Sequence, residues 1–229
     1  MTGHQYATAL RAEFPMRPGP AAAAMERYMR DRFSFLGAKA SHRREIQRRF
    51  WKREGLPATE TMLVEVVTTL WDAPFRELHY AALETIECFQ VAHGTSAGFI
   101  DVLDQLLVRH SWWDTVDVIA PRLAGLRHFP AYPDQAHSAA GRWIRDENVW
   151  RQRAALLFQL KWKEKTDPTL LFSLIERRSD SGEFFVQKAA GWALREYAKT
   201  DPDAVWEFVA GHDLPALTRK EALKHLSSA

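Results

Sequence analysis

The chain predicts an all-α fold, an α-solenoid of about six stacked helix pairs, and three observations carry that reading. Apolar residues recur at three- and four-residue spacing in "TMLVEVVTTLW", "AGFIDVLDQLLVRH", "RAALLFQLKW" and "AAGWALREYA", the period of a helix that buries one face. Alternating strand-like runs bounded by turns are missing. Pro and Gly punctuate the chain near Gly55 to Pro57, Ala73-Pro74, Gly94, His128 to Pro133, Pro168, Gly182, Pro202 and Gly211 to Pro215, which leaves segments of helix length.

The breaks are regular enough to test for repetition. In order along the chain, "SHRREIQRRFW", "FRELHYAALETI", "SWWDTVDVIA", "ENVWRQRAALLFQL", "FFVQKAAGWALREY" and "LTRKEALKHL" align with Glu45, Ala81, Asp117, Ala154, Ala189 and Glu221 in one register. The steps between them are 36, 36, 37, 35 and 32 residues, the length of helix pairs of the HEAT or armadillo sort. The reading is therefore a single domain over residues 1–229, in which the second helix of each pair lines a concave surface.

Composition narrows the class. At 229 residues, 46% hydrophobic and 26% charged, the chain can bury one sizeable core or two small ones. The single Cys88 excludes an internal disulfide, and no CxxC or HExxH spacing offers a zinc site among nine histidines, so neither metal nor cofactor is expected. "MTGHQYATALRAEF" has no apolar run for a signal peptide, and no window approaches the roughly 20 apolar residues of a membrane span; the expectation is a cytoplasmic protein. Net charge is only +2, but residues 27–53 hold ten Lys or Arg against Asp31 and Glu45, a local density that suits a polyanion.

"SWWDTVD" at 111–117 concentrates the chemistry-bearing side chains. Ser111 as N-cap and Asp114 at N3 read as a capping box. Asp117 lies a turn further in and caps nothing; a helical Asp taken alone is most often a solvated surface residue. Its register gives it neighbours. Trp113 precedes it by four residues and shares its helix face. Relative to the repeat register, Arg153 stands at −1, Trp192 at +3, Arg195 at +6 and Lys161 at +7, within an arc of roughly 120° on equivalent helices. In stacked repeats these would converge on one concave patch. Arg44, Lys188 and Lys220 share the −1 column, and Arg48 and Lys224 the +3 column, extending a basic lining. An acid ringed by Trp and Arg along a basic stripe favours a polyanionic ligand with something cationic or aromatic at its centre.

These segments, with "RYMRDRFSFLGAKASHRR" near the start, resemble the HEAT-like-repeat DNA alkylation repair glycosylases of AlkD type, in order and with matching spacing from about residue 20 onward. The resemblance implies a DNA glycosylase that excises positively charged N7- and N3-alkylated purines, chiefly 7-methylguanine and 3-methyladenine, from duplex DNA. It places the family's functional positions on Trp113, Asp117, Arg153, Trp192 and Arg195, and DNA contacts on Tyr28 and Lys161. Lys39 stands where relatives are expected to carry Gln, so its DNA contact departs from the family pattern. Arg44, Arg48 and Lys188 complete the expected DNA-binding set, and a monomer wrapping duplex DNA is the expected partner arrangement. Two rivals remain open at this point: a non-catalytic HEAT-like protein scaffold, and a DNA-binding relative without excision.

Overall fold

The computed structural model describes residues 1–15 and 18–224. Among them lie thirteen α-helices: α1 (Gly3–Ala12), α2 (Ala22–Tyr28), α3 (Ala40–Glu54), α4 (Glu60–Trp71), α5 (Arg76–His93), α6 (Phe99–Val108), α7 (Trp113–Val118), α8 (Pro133–Arg145), α9 (Val149–Leu157), α10 (Pro168–Glu176), α11 (Phe184–Tyr197), α12 (Pro202–Gly211) and α13 (Ala216–Ala222). A π-helical segment, Ile119–His128, continues α7, and a short 3-10 turn spans Lys163–Lys165. The described residues contain no β-strand, only an isolated bridge between Ser34 and Phe75. Among the described residues no helix is long and apolar enough to cross a membrane, and no group of three or more His, Cys, Asp or Glu is placed to hold a metal ion.

The breakers act as the sequence predicts. Pro168 and Pro202 open α10 and α12 directly after Asp167 and Asp201, whose carboxylates accept the N–H of Leu170 (3.0 Å) and Ala204 (2.9 Å). Proline loses nothing at the first helical position and the Asp satisfies one of the free amides there. Helices α3 and α5 stop at Gly55 and Gly94, with φ of 77° and 71°.

The chain forms two compact units, Met1–Ser96 and Ala97–Ala229. In the first, α1 packs on α4, α4 on α5, and α3 on α5, around Phe50, Leu63, Val66, Leu70, Trp71 and Ile86, each at most 1% exposed. Burying one such side chain contributes about 1.5–3 kcal/mol. In the second unit α7, α9, α11 and α13 stack in chain order, with α6, α8, α10 and α12 packed beside them. The six register positions fall on α3, α5, α7, α9, α11 and α13, every second helix. Within the second unit, where α7, α9, α11 and α13 stack, that alternation is the layering of a helical solenoid built from helix pairs. Trp71 and Trp143 are core residues at 0% and 1% exposure, whereas Trp51 is only half-buried.

Candidate functional site: an acid–arginine pair on stacked helices

Two sequence expectations about the local frame need correction. Helix α7 begins at Trp113, with Trp112 as a cap that makes no side-chain cap bond. Ser111 therefore does not form the expected capping box with Asp114; its hydroxyl donates to the Leu107 carbonyl (2.7 Å) and closes the end of α6. Lys161 is not helical either: α9 ends at Leu157, and the chain turns through Leu160 N–H to Leu157 O (3.0 Å), leaving Lys161 exposed on the turn.

Pro121 shapes the backbone after Asp117. A proline has no N–H to return to the carbonyl four residues back, here that of Asp117. The chain widens into the π segment, in which Phe129 N–H reaches Ala124 O, five residues back, at 2.9 Å. Such π-turns are rare and concentrate at functional sites. Gly125 lets this segment lie against the end of α9, since a Cβ there would overlap the Phe158 carbonyl oxygen, and Trp162 Nε1 donates to the Gly125 carbonyl at 2.9 Å.

Asp117 and Arg153 meet across α7 and α9. Arg153 Nε donates to Asp117 Oδ1 at 2.7 Å and Nη2 to Oδ2 at 2.8 Å, while Nη1 donates to the Phe185 carbonyl on α11 at 2.7 Å. Side-chain exposure is 6% for Arg153 and 16% for Asp117. A bidentate fork of this kind fixes the carboxylate in orientation as well as position. Burial pushes the Asp117 carboxyl above its ordinary value of 3.8; Arg153, by hydrogen bonding and by charge, opposes the rise, and Asp114 adds to it. Behind the pair, Trp112, Trp150 and Phe185 form an aromatic cluster with ring centroids 4.9–5.3 Å apart, and the Arg153 guanidinium lies 6.0 Å from the Phe185 ring. Repeat register does not single out this cluster; its signal in the sequence is the aromatic pair Phe184-Phe185 that opens α11.

The other expected residues divide. Trp113 and Trp192 are half-buried on α7 and α11. Arg195 and Lys188, both on α11, turn to Glu221 on α13, at 2.5 Å and 2.8 Å. In the first unit Tyr28 ends α2 and is 69% exposed. Lys39 is the exposed cap residue of α3, and Arg48 is exposed on the same helix. Arg44 lies 3.2 Å from Glu84, which also takes Arg43 at 2.7 Å. The loop that presents Lys39 is held by the fully buried Glu77, whose carboxylate accepts the N–H of Leu36 (3.0 Å), Gly37 (2.8 Å) and Ala38 (3.0 Å).

A forked acid between stacked helices, followed by a π-turn, sits in a chain whose sequence matches the profile of the family described as DNA alkylation repair enzyme, over residues 17–226. The chain belongs to the DNA alkylation repair enzyme family. It is also similar to a solved structure titled "Predicted DNA alkylation repair enzyme from Enterococcus faecalis", with 28% identity and a TM-score of 0.86, covering 94% of this chain and 100% of that one. No curated protein matches it significantly. As a DNA alkylation repair enzyme, the protein acts in the repair of alkylated DNA, and Asp117 lies well inside the matched residues.

Proposed function

We propose that this repair enzyme is a DNA N-glycosylase that excises N7- and N3-alkylated purines from duplex DNA as a monomer, with Asp117 as its catalytic carboxylate. The observation that carries the proposal is the bidentate grip of Arg153 on a carboxylate 16% exposed, one helical turn from Trp113.

The chemistry needs one carboxylate. Alkylation at N7 or N3 leaves a positive charge on the purine, so the base departs as a neutral molecule and needs no general acid. The C1′–N9 bond breaks with both electrons going to the base, and an oxocarbenium-like sugar develops, as in glycoside hydrolysis. Asp117 ionised stabilises that cation; water then adds at C1′ and gives its proton to the carboxylate or to solvent. Arg153 is a positioning residue. It holds both carboxylate oxygens and opposes the rise that burial causes, which favours the ionised form. Trp113 and Trp192 offer indole faces for a cationic base or its deoxyribose. Lys161, Arg195 and Lys188 in one unit, and Tyr28, Lys39, Arg44 and Arg48 in the other, hold phosphates without reading sequence.

The test is direct: the wild-type protein incubated with methylated duplex DNA, with free purines quantified by chromatography. Release of 7-methylguanine and 3-methyladenine supports the proposal; release of neither at micromolar enzyme refutes it.

A further inference from the structure

Two cations assigned above to DNA phosphates already hold an anion. Lys188 Nζ lies 2.8 Å from Glu221 Oε1 and Arg195 Nη1 2.5 Å from Glu221 Oε2, so one carboxylate bridges two cations spaced two helical turns apart on α11. Each oxygen takes a different cation, which is also how two oxygens of one phosphate would be held. Glu221 occupies in the last repeat the register position that Asp117 occupies in the third, yet its surroundings differ. Arg153 is buried, with its donors committed to Asp117 and Phe185. Lys188 and Arg195 keep side-chain exposures of 36% and 20% against 13% for Glu221. Both cations therefore remain partly open to solvent.

We infer that Glu221 is an internal stand-in for a DNA phosphate, occupying the Lys188–Arg195 site in the free protein and lowering the enzyme's grip on any duplex. The inference rests on the DNA-binding reading above. Phosphate contacts supply most sequence-independent affinity, through counterion release from the duplex. A cation already neutralised by an internal carboxylate contributes less to that term. An enzyme that must scan a large excess of undamaged DNA for rare lesions gains from such a brake, because non-specific sites compete with the target for every molecule. The hydrogen bond from Lys188, and then Arg195, holds the Glu221 carboxyl below its ordinary range, so the brake is charged at any pH near neutrality.

A purely structural clamp between α13 and α11 is the competing role. That docking has other determinants: Thr218 Oγ1 donates to the Gln187 carbonyl at 3.2 Å, and Gly191 lets the helices approach so closely that a Cβ there would meet Glu221 Cβ at 2.5 Å. Glu221→Gln keeps the length of the side chain and removes its charge.

The experiment measures binding of the full chain to an undamaged duplex across a salt series, by fluorescence anisotropy. Glu221→Gln is expected to bind about three- to tenfold more tightly at about 0.1 M salt, with the slope of log K against log salt steeper by up to about 0.9. Adding Lys188→Gln is expected to abolish the gain. A variant with wild-type melting behaviour and unchanged or weaker affinity overturns the inference. Should Glu221→Gln fail to fold, the comparison of Lys188→Gln with Lys161→Gln decides. Lys161 makes no ion pair among the described residues, so its loss is expected to cost more affinity than loss of Lys188; an equal or larger cost for Lys188 overturns the inference. A wild type that binds no duplex refutes the underlying DNA reading instead.

Discussion

Arg153→Met separates the two effects that the ion pair exerts on Asp117. The substitution removes both bonds to the carboxylate, at 2.7 Å and 2.8 Å, and the bond to the Phe185 carbonyl, while an unbranched apolar side chain refills much of the space. It leaves a carboxylate at 16% exposure without its opposite charge. Breaking one side of a buried pair costs about 3–5 kcal/mol; residual exposure of Asp117 puts the expected loss near the lower end, about 3 kcal/mol. Titration gives the second readout. Asp117 already has its folded pKa raised by burial, and without Arg153 it rises further. An acid with a raised folded pKa adds stability below its unfolded pKa, and that contribution is lost as pH rises through the folded value. The variant should therefore be closest to wild type in acid and furthest from it near neutrality. Urea unfolding across about pH 4–8 measures this directly. Adding Asp117→Asn to Arg153→Met should recover stability, with a coupling of about 1–3 kcal/mol. A variant within about 0.5 kcal/mol of wild type at every pH, with no coupling to Asp117, would refute the claim that Arg153 holds this acid in its working state.

Three further outcomes follow from the geometry. Base release should lose activity in acid with a midpoint above the ordinary Asp value of 3.8, because burial raises the carboxyl and only its ionised form works; a pH–rate profile flat through that range contradicts the assignment. Gly125→Ala should lower stability by about 1–3 kcal/mol by overpacking and slow base release, since the new Cβ would push the π segment that follows Asp117 off the Phe158 carbonyl; thermal melting and single-turnover rates check both. Glu77→Ala should strip the acceptor from three backbone amides, cost about 3 kcal/mol, and raise hydrogen exchange at Leu36, Gly37 and Ala38, with unchanged protection there as the contrary result.

Periodicity made the helices legible, and the near-regular step of the register put Asp117 on α7 and Arg153 on α9, adjacent helices in the stack. Repeat spacing could do this because equivalent positions on stacked helices face alike. It could not say which partner each cation takes. Arg153, Arg195 and Lys188 all looked like phosphate ligands; the folded chain gives the first to Asp117 and the other two to Glu221, since acids at the same register come within reach of neighbouring basic columns. The capping box at Ser111 and Asp114 does not form for a local reason: the helix starts one residue later than the pattern implies, so Trp112 takes the cap position and Ser111 closes the helix before it. Lys161 lies on a turn and not on the helix because apolar spacing in "RAALLFQLKW" continues past the helix end, where Phe158 and Leu160 remain buried.

The proposed excision chemistry turns on the charge of Asp117. Release of 7-methylguanine and 3-methyladenine from methylated duplex DNA by wild type and Asp117→Asn, with melting and DNA binding recorded for both, tests it most directly. Asp117→Asn is expected to fold, still bind duplex and release base roughly 100-fold or more slowly. A folded, DNA-bound Asp117→Asn that releases base at the wild-type rate contradicts it.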